Sequence, residues 1–178
     1  NHYQEDQVLQ PLRINECLLD SLHSGLSSSS ACNRNNKTGM NILKKFFNAI
    51  PKEDRNNYFS ADGKTLNVNK FRLFFHGTSG GPVAARAIEC NGFDPARRRG
   101  QAHGPGEYCS PNLATAMGYS RESIMAVLSY VKPEVAPVSY SNNGDIVVIN
   151  NPVDYKSTFM LPLGCIFSED VDVRERTC

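Results

Sequence analysis

Net charge is nearly absent from this chain of 178 residues: the balance is +1. No global field therefore draws it to nucleic acid or to an anionic membrane, and any such attraction has to be local. Long apolar runs are missing too. None approaches the ~20 residues that a membrane span needs, and Asn1-His2-Tyr3 has none of the features of a signal peptide. Such an opening is expected of a chain that starts mid-protein. Regular cysteine spacing is lacking as well. Cys17, Cys32, Cys90, Cys109, Cys165 and Cys178 form no C-x-x-C pair, which argues against a zinc site and a redox dithiol. Free thiols in a reducing compartment, cytoplasm or nucleus, are expected. Asn36-Lys37-Thr38 is a glycosylation sequon of the kind that arises often by chance. There is no internal repeat, and 40% hydrophobic with 21% charged residues suits one well-cored domain over residues 1–178.

Against these gaps stands one dense stretch, Phe71 to Tyr119. Phe71, Leu73, Phe74 and Phe75 spell a buried strand that runs straight into His76-Gly77-Thr78. A titratable ring, a bare backbone unit and a hydroxyl thus sit where an apolar strand surfaces. Pro82 to Cys90 follows with helical spacing of Val83, Ala84, Ala87 and Ile88, and Asn91-Gly92 forms its stop. Next come a loop with Arg97-Arg98-Arg99 and then Gly104-Pro105-Gly106-Glu107-Tyr108, a backbone stripped of side chains beside an aromatic ring. A flat, anionic ligand suits that place.

These residues resemble the catalytic domain of the poly(ADP-ribose) polymerase family, the diphtheria-toxin-like ADP-ribosyltransferases. That family has a strand ending in His-Gly-Ser/Thr, a helix ending in Gly-Phe, a loop, a Gly-x-Gly-x-Tyr-Phe strand and a second tyrosine. Here the pieces are His76-Gly77-Thr78, Gly92-Phe93, Gly104-Pro105-Gly106-Glu107-Tyr108-Cys109 and Tyr119, with the expected eleven-residue step between the tyrosines. The match covers roughly the C-terminal 60% of the chain. It implies a split core of two packed antiparallel sheets over residues 66–178, behind a helical and loop region over 1–65. It also implies NAD+ as co-substrate in the cleft between the sheets, no metal, and transfer of ADP-ribose to a protein or other macromolecular acceptor.

The rest of the chain fits an α+β domain on its own terms. A short helix is predicted from about Ile14, a loop over Ser24 to Thr38, and an amphipathic helix over Ile42 to Ile50 with Leu43, Phe46, Phe47 and Ile50 on one face. Asp62-Gly63 marks a turn. Ser123 to Val131 suits a central strand, Lys132 to Ser141 a loop, Asp145 to Ile149 a strand after the Asn142-Asn143-Gly144 turn, and Phe159 to Phe167 a last strand with Pro162 at an edge or bulge. The tail from Ser168 to Cys178 is expected to fray. Short apolar runs joined by turns point to antiparallel sheet.

Breaking the bond between nicotinamide and ribose passes through an oxocarbenium-like transition state, so a site must hold the nicotinamide flat and fix the ribose. Tyr108 and Tyr119 supply rings, and Gly77 permits close backbone approach to the carboxamide. The resemblance assigns the adenosine-side ribose to His76, and Thr78 and Arg97 join the dinucleotide-binding set. Taken singly, each is more often a packing residue than a ligand; Thr78 also suits a turn cap, the arginines a solvated basic loop or a weak nucleic-acid patch, and Glu107 a solvated charge. Two departures stand out. Ala116 replaces a serine that bonds the carboxamide in the family, with Thr115 turned to the other face if the segment is a strand, and Cys109 replaces a phenylalanine. A third concerns the triad after His76 and Tyr119. Asp145 takes the place of the polymerases' glutamate on a shorter arm, or a second alignment puts Thr158 there; Asp145 is favoured because the following strand is then accounted for. Single transfer rather than chain extension is expected. An inactive binding module of the same fold is the alternative, and a thiol protease using Cys109 with His103 a distant third.

Overall fold

The computed structural model describes residues 13–14, 42–61, 66–120, 123–132, 134–136, 138–141 and 143–167. Helix α1, Ile42–Ala49, forms where Ile42, Leu43 and Phe46 return to one buried face, with Ile50 just past its end and Pro51 stopping it. Lys45 occupies a position on that same face. One further turn, α2 (Arg55–Tyr58), brings Phe59 and Phe71 against Phe46, the Phe46 and Phe71 rings 5.1 Å apart. The helix expected from Ile14 is corrected at its start. Arg13–Ile14 is a two-residue strand, β1, and β-branched Ile14 pairs with Gly164. The rest of that predicted helix, the 24–38 loop, the 62–63 turn and the 168–178 tail lie outside the described residues.

The larger sheet runs in the order β1-β7-β4-β2, antiparallel throughout. Its strand β4, Ser123–Ser129, is buried at every position and lies inside the sheet, as its unbroken apolar run requires. Strand β2, Arg72–Gly77, forms one edge. Strand β7, Met160–Phe167, lies inside the sheet and carries a bulge: Ala126 faces Gly164, but the next residue, Val127, faces Pro162. The missing proline donor is absorbed there.

The smaller sheet has the order β3-β6-β5, from Glu107–Cys109, Val147–Ile149 and Val138–Tyr140. Val138–Tyr140 falls in the expected loop, and the correction has a plain cause. Both prolines of that segment precede the strand, and a turn with Gly144 at φ +75° folds Val-Ser-Tyr back onto β6. Strand β6 in turn starts at Val147 rather than Asp145. Helix α3, Gly81–Asn91, packs on β4 and β7 and stops at Gly92, φ +79°. Helix α4, Leu113–Tyr119, packs on β2 and is capped by the Asn112 side chain, which accepts from Ala114 N–H at 2.9 Å. Thr115 and Ala116 are thus helical, not in a strand. The whole is a mixed α+β arrangement of two antiparallel sheets, and no helix among the described residues is long and apolar enough to cross a membrane.

Candidate functional site

The two sheets meet where Phe75 and Ser110 exchange backbone bonds, 2.8 and 2.9 Å. Phe75 therefore turns its N–H and C=O away from β4. Backbone groups alternate sides along a strand, so His76 and Thr78 face β4, as the 3.1 Å bond from Thr78 N–H to Ser123 C=O shows. Gly77 turns back toward β3. A continued ladder would give Gly77 N–H the carbonyl of Tyr108, but His76 takes it first: Nδ1 lies 2.8 Å from Tyr108 O. The imidazole thereby takes the acceptor that a continued ladder would use, and the Gly77 N–H and C=O face the split with no backbone partner there among the described residues.

The glycine is required for another reason. A Cβ at Gly77 would lie 2.6 Å from Ala116 O and 3.2 Å from Tyr119 Cβ, so α4 sits directly over the strand end. Ser120 Oγ secures that contact by donating to Thr78 O at 2.7 Å. Gly106 is similar: φ is +151°, and a Cβ would meet Ile149 O at 2.6 Å. Both glycines let backbone approach where a side chain would block it.

From this split opens a cleft of about 1100 Å³, slightly above the ~300–1,000 Å³ typical of drug-sized ligands. Its walls include His76, Gly77, Thr78, Arg97, Tyr108 and Tyr119, so the structure brings together every expected residue of the binding set. Phe93 stands edge-on to His76, ring centroids 4.9 Å apart and planes at 89°. Tyr108 is fixed by its phenol, which donates to Gly104 O at 2.9 Å and accepts from His103 N–H at 2.7 Å. Tyr119, by contrast, is 65% exposed at the mouth. Thr78 is 4% exposed, and its Oγ1 is buried with no partner among the described residues.

Electrostatics fixes the His76 tautomer. Burial pulls its pKa below the ordinary value, and the bond to Tyr108 O opposes that only in part. A carbonyl can only accept, so Nδ1 carries the proton and the neutral ring leaves Nε2 as an acceptor. The three consecutive arginines have three different situations. Arg97 has a side chain 75% exposed and lies 3.8 Å from Asp94. Arg98 is buried against Glu107, with bonds of 2.8 and 3.0 Å, and reaches Asn150 Oδ1 and Asn151 O. Glu107 is therefore a buried partner rather than a solvated charge. Burial pushes its carboxyl up, and Arg98 offsets part of that. Arg99 is exposed on the cleft wall.

Asp145 does not reach the cleft. Its carboxylate accepts from Asn143 Nδ2 at 2.7 Å in the exposed turn, while Ile146, next along the chain, lines the cleft wall. Successive side chains entering a strand point to opposite faces, so one residue inward means the other outward. Thr158 is no substitute: it is buried, and its hydroxyl is occupied by Asn151 and Met160. Cys109 lines the cleft, but burial pushes its thiol pKa far up, which removes the thiolate that a protease would need. The sequence reading missed Ile146, Lys45, Asn91 and Tyr155 on the cleft wall. Only Lys45 left a signal, a lysine at a core-facing position of an amphipathic helix.

Comparison with protein-family models finds no match, and comparison with curated proteins finds none either.

Proposed function

We propose that the protein is an NAD+-dependent mono-ADP-ribosyltransferase, with the split two-sheet core of that fold. The observation that carries this reading is the uncommitted Gly77 N–H and C=O beside His76. A primary carboxamide presents one acceptor and two donors in a plane, and a strand residue offering N–H and C=O on one side is its complement. Tyr108 and Tyr119 flank that point with ring faces suited to a pyridinium, worth ~0.5–2 kcal/mol. His76 Nε2 accepts from a ribose hydroxyl, and the unpartnered Thr78 Oγ1 supplies a second polar contact on the same strand face. Arg97 and Arg99 suit the diphosphate. Transfer exchanges the bond between nicotinamide and ribose for one to an acceptor nucleophile. The acceptor is a protein or another macromolecule, and the cytoplasm or nucleus is the compartment proposed. Neither Asp145 nor Thr158 brings a carboxylate to the cleft, whose wall there is Ile146, so extension of an attached ADP-ribose is not expected.

One observation favours a second reading, a binding module without turnover: the Asp145 carboxylate faces solvent. Binding does not separate the two readings but tests both together. Millimolar NAD+ should raise the Tm of the wild type, because a ligand of the folded state alone stabilises it, and His76→Ala should abolish the rise. An unshifted wild type sinks both readings.

A further inference from the structure

The loop between α3 and β3 presents Arg97 and Arg99, both exposed, on the cleft wall. Arg98 between them turns inward, its side chain 9% exposed. Its guanidinium meets the Glu107 carboxylate in two parallel bonds of 2.8 and 3.0 Å, and donates also to Asn150 Oδ1 at 3.2 Å and Asn151 O at 2.7 Å. Four of its five N–H donors are therefore engaged by protein, so Arg98 is not placed to hold an anion itself.

A buried ion pair seldom stabilises a fold more than apolar side chains of the same volume would, because desolvation offsets the attraction. What it supplies is placement, since a bidentate contact between guanidinium and carboxylate fixes orientation as well as distance. The loop has few other fixed points. Near its start Asp94 Oδ1 accepts from Ala96 N–H at 3.0 Å, and near its end the Tyr108 phenol holds His103 and Gly104. Among the described residues between those points, only the Arg98 side chain bonds outside the loop.

We propose that Arg98 and Glu107 are a positioning pair, which locks the loop and so presents Arg97 and Arg99 to the diphosphate of the dinucleotide. The proposal rests on the reading of the cleft as an NAD+ site and adds what sets affinity at its phosphate end. Without the pair, two exposed guanidiniums have to be ordered by the ligand, which lowers affinity.

The test replaces both members, Arg98→Met with Glu107→Leu, because loss of one alone leaves a buried charge unpaired. A urea midpoint near that of the wild type shows that the variant folds. In titration calorimetry of the whole chain, NAD+ should bind this variant more weakly by on the order of 10–100-fold. Nicotinamide alone, which has no phosphate, should bind variant and wild type alike. In a chain that already carries Arg97→Ala and Arg99→Ala, the same double replacement should change NAD+ affinity by less than about twofold, because the groups it acts through are gone. Should the double replacement fail to fold, Asn150→Ala removes only the bond from Arg98 Nη1 and should give the same pattern with a smaller loss. Unchanged NAD+ affinity overturns the positioning pair and leaves the dinucleotide reading intact. So does an equal loss of nicotinamide binding, the mark of a merely structural effect, or a full loss in the background without Arg97 and Arg99. A wild type that does not bind NAD+ removes the dinucleotide reading and the positioning pair together.

Discussion

Two residues at the end of one edge strand, His76 and Gly77, shape the cleft wall. His76 is neutral because burial outweighs its bond to Tyr108 O, and this has a consequence for stability. Its folded pKa lies below the ordinary value of about 6.5. Above that pH the imidazole is neutral in both folded and unfolded chains. As pH falls through it, the unfolded chain takes up a proton that the folded site refuses, so stability present above pH ~6.5 is lost on the acid side. Melting curves between about pH 7.5 and 5.5 should fall less for His76→Gln, which can still donate to the carbonyl but does not titrate. Parallel curves for the two proteins would contradict the assignment. Gly77 makes a different demand. Gly77→Ala places a methyl 2.6 Å from Ala116 O, a backbone atom of a packed helix that cannot simply rotate aside. The expected penalty is ~1–3 kcal/mol of unfolding free energy, read by urea denaturation, with loss of any NAD+-dependent Tm rise. An alanine variant as stable as the parent would mean that α4 does not press on the strand as described.

At the scale of elements, the cleft wall is held by the loop between α3 and β3, and Arg98 is its anchor. It joins that loop to β3 through Glu107 and to the segment after β6 through Asn150 and Asn151. Both side chains are buried, so removing one leaves the other charged and unpaired. Arg98→Met should cost ~3–5 kcal/mol, whereas Arg97→Ala, at an exposed position, should stay within ~0.5 kcal/mol. Urea midpoints for the pair decide it, and equal effects would refute the division of labour. That division was not legible in the sequence. Three adjacent arginines look alike until a partner 9 residues further on in the chain is known to face inward at one of them. Elements whose signal is periodic or conformational were legible: α1 from its apolar face, α3 from its spacing and Gly92, β4 from its unbroken apolar run. Strand β5 was not, because two prolines mask three residues whose strand character comes from their partner β6. Helix α4 was not either, since seven residues with one glycine carry little period.

For the molecule as a whole, the decisive feature is a ladder that stops. The order of residues around His76-Gly77 and Tyr108 marked where a cleft opens, but not that the imidazole would occupy the carbonyl that a continued ladder would give to Gly77. The same limit explains Asp145. Its type and position suited a triad, yet whether a residue at a strand entry points in or out depends on a one-residue phase that the turn at Asn143 sets. The side chain entering the cleft is Ile146. If the cleft is the ADP-ribosyltransferase site proposed above, then with Ile146 rather than Asp145 on its wall it should transfer ADP-ribose once and then stop. Incubation of the chain with labelled NAD+ and a cell lysate, resolved on a denaturing gel, tests that claim most directly. The account predicts discrete labelled bands that do not grow into ladders and that vanish with His76→Ala. No label from the wild type at saturating NAD+, or a ladder of heavier products, would contradict it.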